Sequence, residues 1–373
     1  MAVRVTWQQA LAWRMRRHLL DPVGRLPVAG VVRRLCGVQA QVASSAELAV
    51  RVRRQTSRPG EVARALSKGR LIKTWAMRGA LHLLTPEEAG AFLSLMAAGR
   101  SWERPSWQRY FGVTTEQMDV LRRTVRQALD GAVLTREELV AAVIARRGLG
   151  NVGEALRSGW GTLLKPLAWQ GELCFGPSRG NRVTFTLPET ASSSWAGLPH
   201  PDEAAPIAIM AYVGAYGPTT IEAFGTWLAG GWFGKRQLRN WFEALGDRLA
   251  EVELDGERAH VLATDLDELA SAEPTAAVRL LPGFDQYVLG PGTADGHVVP
   301  AARRAAVSKQ GGWIAPVVVA GSVVRGTWEL DGDRVGIAWF GEAGRPPRPA
   351  LKEEVARLSS ILDRDLRGVI SLA

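Results

Sequence analysis

Hydrophobic residues return every three or four positions through much of the chain, the period of helices with one buried face. Trp7, Leu11, Met15 and Leu19 share one face of a helix predicted over 7–20, with Thr6 and Gln9 spaced as a capping box and Asp21-Pro22 closing it. A second helix over 28–36 stops at Gly37. A third begins after Ser44, where Ser44 and Glu47 form another capping pair, and runs to about Arg54; a short fourth follows Pro59. The period then changes to alternation, predicting strands over 71–77 and 80–84 joined at Arg78-Gly79. Helices followed by a hairpin are the outline of a winged helix.

The outline recurs twice. The second instance has helices over 115–129, 136–147 (capped by Thr135 and Glu138) and 152–170, then a hairpin pairing 172–176 with 182–187. The third has helices over 203–216, 221–228 and 235–245, then a hairpin pairing 249–254 with 258–262 across Asp255-Gly256. Repetition at this interval predicts tandem winged helices. Residues 98–111 and the Ser- and Pro-rich 188–206 read as irregular linkers. After Thr264 come strands over 277–289, 313–319, 323–330 and 334–340, and a last helix over 349–366, expected to pack on the third unit. The expected fold class is mainly α with β-hairpins (α+β). It has three tandem winged-helix units, 1–97, 98–188 and 202–373, the last carrying the C-terminal strand-rich segment.

Charge adds the first functional hint. Residues 1–165 hold 27 Lys and Arg against 12 Asp and Glu, whereas 166–373 hold 19 against 25. A basic half points to a polyanion, nucleic acid first. Arginine outnumbers lysine 40 to 6, as codon bias also produces, but codon bias does not place the surplus at one end. Arg4, Arg14, Arg16 and Arg17 imitate a transit peptide, yet the capping box and closing proline read as an ordinary first helix. Cys36 and Cys174 are too few for a disulfide scaffold or a cysteine-held cluster, so the expected compartment is reducing and cytoplasmic. No apolar run approaches the roughly 20 residues of a membrane span, so no membrane partner is expected.

Stock catalytic motifs are missing. The 230–236 run (GGWFGKR) lacks phosphate-loop spacing, and no deaminase, HExxH or G-x-S-x-G pattern occurs. Five scattered histidines predict no metal and no cofactor. The segment 37–44 (GVQAQVAS) lies between two helices and is expected to be extended. Gln39 and Gln41 then project to one side while Val38, Ala40 and Val42 anchor the other. Two neighbouring amides can hold a water in one orientation. On spacing alone, solvated connector residues, or amides satisfying loose backbone ends, are the commoner reading.

Around this segment Arg33, Arg34, Arg51, Arg53, Arg54, Arg58 and Arg78 are candidates for phosphate contacts, against the plainer reading of a solvated helix face. His297, Arg303 and Arg304, in a Gly- and Pro-rich stretch, form a second candidate, a loop entering DNA. His82, alternating with Leu81 and Leu83, is expected to be structural.

The words at 37–41 (GVQAQ), 75–83 (WAMRGALHL), 85–88 (TPEE), 216–218 (YGP) and 280–285 (LLPGFD) resemble, in order and spacing over essentially the whole chain, the AlkZ-like DNA glycosylases. The resemblance implies three winged helices in a C-shaped arrangement. It also implies a catalytic Gln-x-Gln, here Gln39 and Gln41, where the sister YcaQ-type branch has Gln-x-Asp. The Gln-x-Gln branch unhooks interstrand crosslinks such as those of azinomycin. Gln286 stands where an acid is often found, a departure near the third unit.

The chemistry is consistent with such an activity. N7-alkylated guanine is cationic, so it leaves without a strong acid, and an oxocarbenium-like sugar mainly needs an oriented water. A glutamine is too weak a base to take a proton but can position that water. The expected protein is a monofunctional DNA glycosylase for cationic N7-alkylguanine and crosslinks. Its partner is double-stranded DNA with alkylated or crosslinked guanine, with no obligate protein partner. The alternative is a winged-helix transcriptional regulator or architectural DNA binder without catalysis.

Overall fold

A computed structural model describes residues 3–159 and 161–373. The chain groups into two compact units: Met1–Val62 with Met210–Trp227 and Leu245–Ala373, and Ala63–Ile209 with Leu228–Ala244.

The first unit is built around the helix Trp7–Arg17, whose Thr6 and Gln9 make the expected reciprocal cap. Helices Val28–Arg34 and Ala43–Arg51 follow. The third helix starts two residues earlier than Ser44, from Val42, without a side-chain cap. Glu47 is used elsewhere: its carboxylate accepts from the backbone N–H groups of Glu61 and Val62, at 3.2 and 3.1 Å, and so caps the next helix. The hairpin Leu249–Leu254 and Glu257–Leu262 turns where expected, at Asp255-Gly256, and Val3–Val5 adds to it in parallel.

The C-terminal strands form one sheet in the order Val278–Leu281, Val317–Ala320, Val323–Asp331, Arg334–Trp339 and Arg367–Leu372. The last strand, absent from the sequence reading, pairs in parallel with Arg334–Trp339 after the crossover helix Arg348–Leu362. Alternation sorts the two faces. Val317 and Val319 pack with Leu11, Met15, Leu20 and Val52, while Val318, Trp328 and Ile337 pack with Leu351, Val355 and Leu358 of the crossover helix. The segment expected against the third repeat therefore packs on the N-terminal helices. The predicted strand 277–289 is a strand only to Leu281; Asp285 then caps a turn of helix, Gln286–Leu289.

The second unit joins two predicted hairpins edge to edge. Ile72–Trp75 pairs with Leu81–Leu84, around the 3-10 turn Met77–Gly79, and on its other side with Cys174–Phe175. That strand pairs with Thr184–Thr186, which pairs with Leu134–Thr135. Trp75, Phe175 and Phe185 pack against one another across the sheet, with ring centroids 4.7 to 6.1 Å apart. Helix Thr115–Leu129 is as predicted. The predicted 152–170 helix is broken into Gly153–Arg157 and Leu164–Trp169, and Trp160 within it lies outside the described residues. Neither linker is loose: 98–111 holds the helices Ser101–Glu103 and Pro105–Phe111. The 188–206 stretch opens with Pro188–Ala191 and lies against helix Pro86–Ala98, where the Ser94 hydroxyl donates to the Pro199 carbonyl at 2.7 Å.

Two buried histidines couple this packing to pH. Burial lowers the His82 pKa from 6.5 to about 3, and lowers His18 well below 6.5, helped there by Arg53 and Arg14. The unfolded chain takes up protons at both as pH falls below about 6.5 and the folded chain does not. Stability is thus full above that value and declines as pH falls toward 3. Melting curves recorded from about pH 7.5 to about pH 5, above most carboxylate titration, should show Tm falling by several degrees. A flat profile would contradict the neutral buried histidines.

Candidate active site

The Gln-x-Gln segment begins where helix Val28–Arg34 ends. Cys36 and Gly37 both take positive φ, 54° and 93°, and the Gly37 N–H donates to the Val32 carbonyl at 2.9 Å, turning the chain sharply. It leaves as a short strand, Val38–Gln39, and alternates as anticipated: Val38 and Ala40 are buried, Gln39 is half-buried and Gln41 exposed. Among the described residues no hydrogen bond engages either side-chain amide. Val38 and Ala40 act as the anchor, and the amides remain open to water.

A buried scaffold lies behind the turn. The Tyr216 hydroxyl donates to the Leu35 carbonyl at 2.7 Å and lies 3.2 Å from the Gln286 side chain. A hydroxyl has one proton to donate, and the Gln286 Nε2 is otherwise without a partner. Both facts are met when the Gln286 amide donates to the Tyr216 hydroxyl. Gly290 makes room: a Cβ there would lie 1.8 Å from the Tyr216 ring. Gln286 in turn follows Asp285, which forms a fully buried ion pair with Arg53 at 2.6 Å. The sequence places Tyr216 in the 216–218 word and marks Gln286 as a departure just beyond the 280–285 word, but does not show that the two meet. They lie 70 positions apart and meet only in the folded, buried core.

The arginine candidates divide. Arg53 is buried on Asp285 and the Ala49 carbonyl; Arg51 bonds the Ile361 carbonyl and Ser57; Arg54 bonds the Leu26 carbonyl and Glu61. These three therefore fasten the fold and are not the phosphate contacts expected of them. Arg33 and Arg58 are exposed and Arg34 is half-buried. Arg78, in the second unit, is exposed on its turn at φ 54°.

His297 is half-exposed, stacked on Trp7 with centroids 3.7 Å apart, and its Nδ1 lies 3.0 Å from Asp295. Arg303 is engaged by both Glu342 oxygens at 2.7 Å and by the Ala373 carbonyl, whereas Arg304 is exposed. His82 is buried with Nδ1 on the Ala80 carbonyl at 3.0 Å, a structural placement. Both cysteines are buried and free, and burial raises the Cys174 thiol pKa. No group of three potential metal ligands occurs among the described residues.

A solved structure, the Streptomyces sahachiroi DNA glycosylase AlkZ, matches this fold with a TM-score of 0.96 at 48% identity, covering 99% of this chain and 100% of its own. At such identity the match defines the class as well as the fold, and the protein is a DNA glycosylase. A curated relative, the interstrand DNA cross-link repair glycosylase of Streptomyces sahachiroi, is 49% identical over 358 residues, 96% of each chain. The family model described as DNA glycosylase AlkZ-like matches residues 32–361, and the chain belongs to that family.

If Tyr216 pins the turn before Gln39, Tyr216→Phe leaves the Leu35 carbonyl and Gln286 short of a buried partner, at a cost of about 1–3 kcal/mol. Denaturant unfolding should show that loss, and base release should fall by more than the folded fraction does. Unchanged stability and rate would remove Tyr216 from the support of the site.

Proposed function

We propose that this protein hydrolyses the N-glycosidic bond of cationic N7-alkylguanine in double-stranded DNA, and unhooks interstrand crosslinks built on such bonds. Water held by Gln39 and Gln41 adds to C1′ as the C1′–N9 bond breaks. The alkylated guanine leaves as a neutral base, and the water's second proton passes to solvent. The observation carrying this reading is the pair of unengaged amides on an anchored strand with no ionisable group between Gly37 and Glu47. Such a site supplies orientation without general acid–base catalysis, which suits a leaving group already activated by its charge. The curated relative's name supports the crosslink as substrate.

The wider reading has three winged-helix units in a C-shaped arrangement and acts in the cytoplasm as a monofunctional glycosylase needing no cofactor. A concave basic surface would bring the amides to a lesion still within the duplex, as a base tied to both strands requires. A regulator without catalysis, the alternative drawn from fold alone, does not fit a member of this family.

Duplex DNA carrying N7-methylguanine should yield free base and alkali-labile sites. Gln41→Leu, similar in size but unable to bind water, should slow single-turnover release by about a hundredfold with DNA affinity nearly intact. Gln41→Asp, still an acceptor, should retain release of the simple lesion. Equal rates for wild type and Gln41→Leu would end the water-positioning mechanism.

Affinity for undamaged duplex should fall steeply with salt, by a slope of about −0.9 per phosphate contact. Arg58→Ala and Arg304→Ala should each flatten that slope by about 0.9 without altering stability. Arg53→Ala should instead lower stability by about 3–5 kcal/mol, since it strands a buried carboxylate. A salt-independent affinity would defeat the phosphate contacts.

A further inference from the structure

The second unit carries an aromatic and basic surface that its own packing does not use. Helix Pro105–Phe111 buries none of its residues, and Tyr110 on it is 82% exposed. The Trp107 and Tyr110 rings lie 4.5 and 4.7 Å from Phe111, forming a connected aromatic face. Arg104, directly before this helix, places its guanidinium over the ring of Trp232 at 5.2 Å, which joins the helix to the 230–234 loop. Trp232 is 55% exposed, held outward by Gly230 and Gly231 at φ 66° and 84°, a backbone that side chains rarely adopt. Helix Lys235–Glu243 follows at once and buries Leu238, Trp241 and Phe242, leaving Lys235, Arg236 and Arg239 exposed.

Segments 104–112 and 230–243 together hold five cations (Arg104, Arg109, Lys235, Arg236 and Arg239) against one acid, the exposed Glu243. Large rings left in water beside unneutralised cations call for a ligand with both flat faces and negative charge. Duplex DNA offers the charge but hides its base faces between neighbouring pairs. An unpaired strand offers both, and stacking on aromatic side chains beside a basic track is how such strands are held. A protein partner would have to answer five positive charges with only one of the opposite sign offered in return.

We propose that the Trp232 and Tyr110 surface binds an unpaired DNA strand by stacking its bases, with Lys235, Arg236 and Arg239 on its phosphates. The proposal rests on the reading of this chain as an enzyme acting on DNA, and adds a second contact of different chemistry from the amide pair. It gives the enzyme a hold on strands opened beside a lesion.

The test uses the full chain, an undamaged single-stranded oligonucleotide of mixed sequence, a duplex of the same length, and the N7-methylguanine duplex. Trp232→Ala and Tyr110→Ala should each weaken single-strand binding by about tenfold or more, with duplex affinity and base release close to wild type. Trp232→Phe, which keeps a ring face, should recover most of the single-strand binding; Trp232→Leu should not. Unchanged single-strand binding, or an equal loss on duplex, would overturn the proposal. A change of oligomeric state in Trp232→Ala by sedimentation would also overturn it, assigning the face to a second copy. Failure of wild-type base release alongside the selective single-strand loss would sink the glycosidic reading and leave the stacking surface standing.

Discussion

Arg53 and Asp285 lie 232 positions apart and meet fully buried through two hydrogen bonds of 2.7 and 2.6 Å. Removing either partner would strand a charge away from water, so the pair enforces one arrangement of the segments that carry it. Arg53 also donates to the Ala49 carbonyl at 2.7 Å, holding the end of the helix that follows Gln41. Asp285 accepts from the Tyr287 N–H at 2.8 Å, which starts the turn of helix that places Gln286 by Tyr216. Through Tyr216 the constraint reaches the Leu35 carbonyl, just ahead of Gln39. The two glutamines are thus bracketed by elements that answer to one ion pair.

The same economy governs the basic surplus of the N-terminal half. Arg14, Arg17 and His18 meet the carbonyls of Tyr216, Gly214 and Ala215, at 2.8, 2.9 and 3.0 Å. These carbonyls end helix Pro201–Tyr216, where intrahelical partners run out and the helix dipole favours cations. His18, kept neutral by burial, must donate through Nε2 there. Arg51, Arg53 and Arg54 are similarly absorbed by carbonyls and carboxylates within the unit. Of the candidates in this unit, Arg58 and Arg304 keep exposed side chains on which a polyanion can act.

On the proposed mechanism, an anchored but unionised pair of amides carries a selectivity. A site that orients water without supplying a proton works on a base whose own charge drives departure and leaves neutral bases alone. The chemistry then demands rigidity more than pKa tuning. The sharp turn at Cys36 and Gly37, the buried Val38 and Ala40, and the Tyr216 hydroxyl each supply rigidity by packing or hydrogen bonding.

Much of this was legible in the chain itself. The capping boxes at Thr6 and Thr135, the helix Thr115–Leu129, the Asp255-Gly256 turn and the alternation through Gln39 and Gln41 are local, set by spacing and backbone preference within a few residues. Ser44 with Glu47 has the same spacing and failed, because the Glu47 carboxylate found two backbone donors at Glu61 and Val62 and the helix began at Ala43 instead. The strand Arg367–Leu372 was invisible for a related reason: it is mostly exposed, and pairing with Arg334–Trp339 makes it a strand. Sequence composition counts a guanidinium as charge wherever it lies. Only the tertiary structure decides whether it meets Asp285, a helix end or open water, because burial and long-range partners have no signature in neighbouring residues.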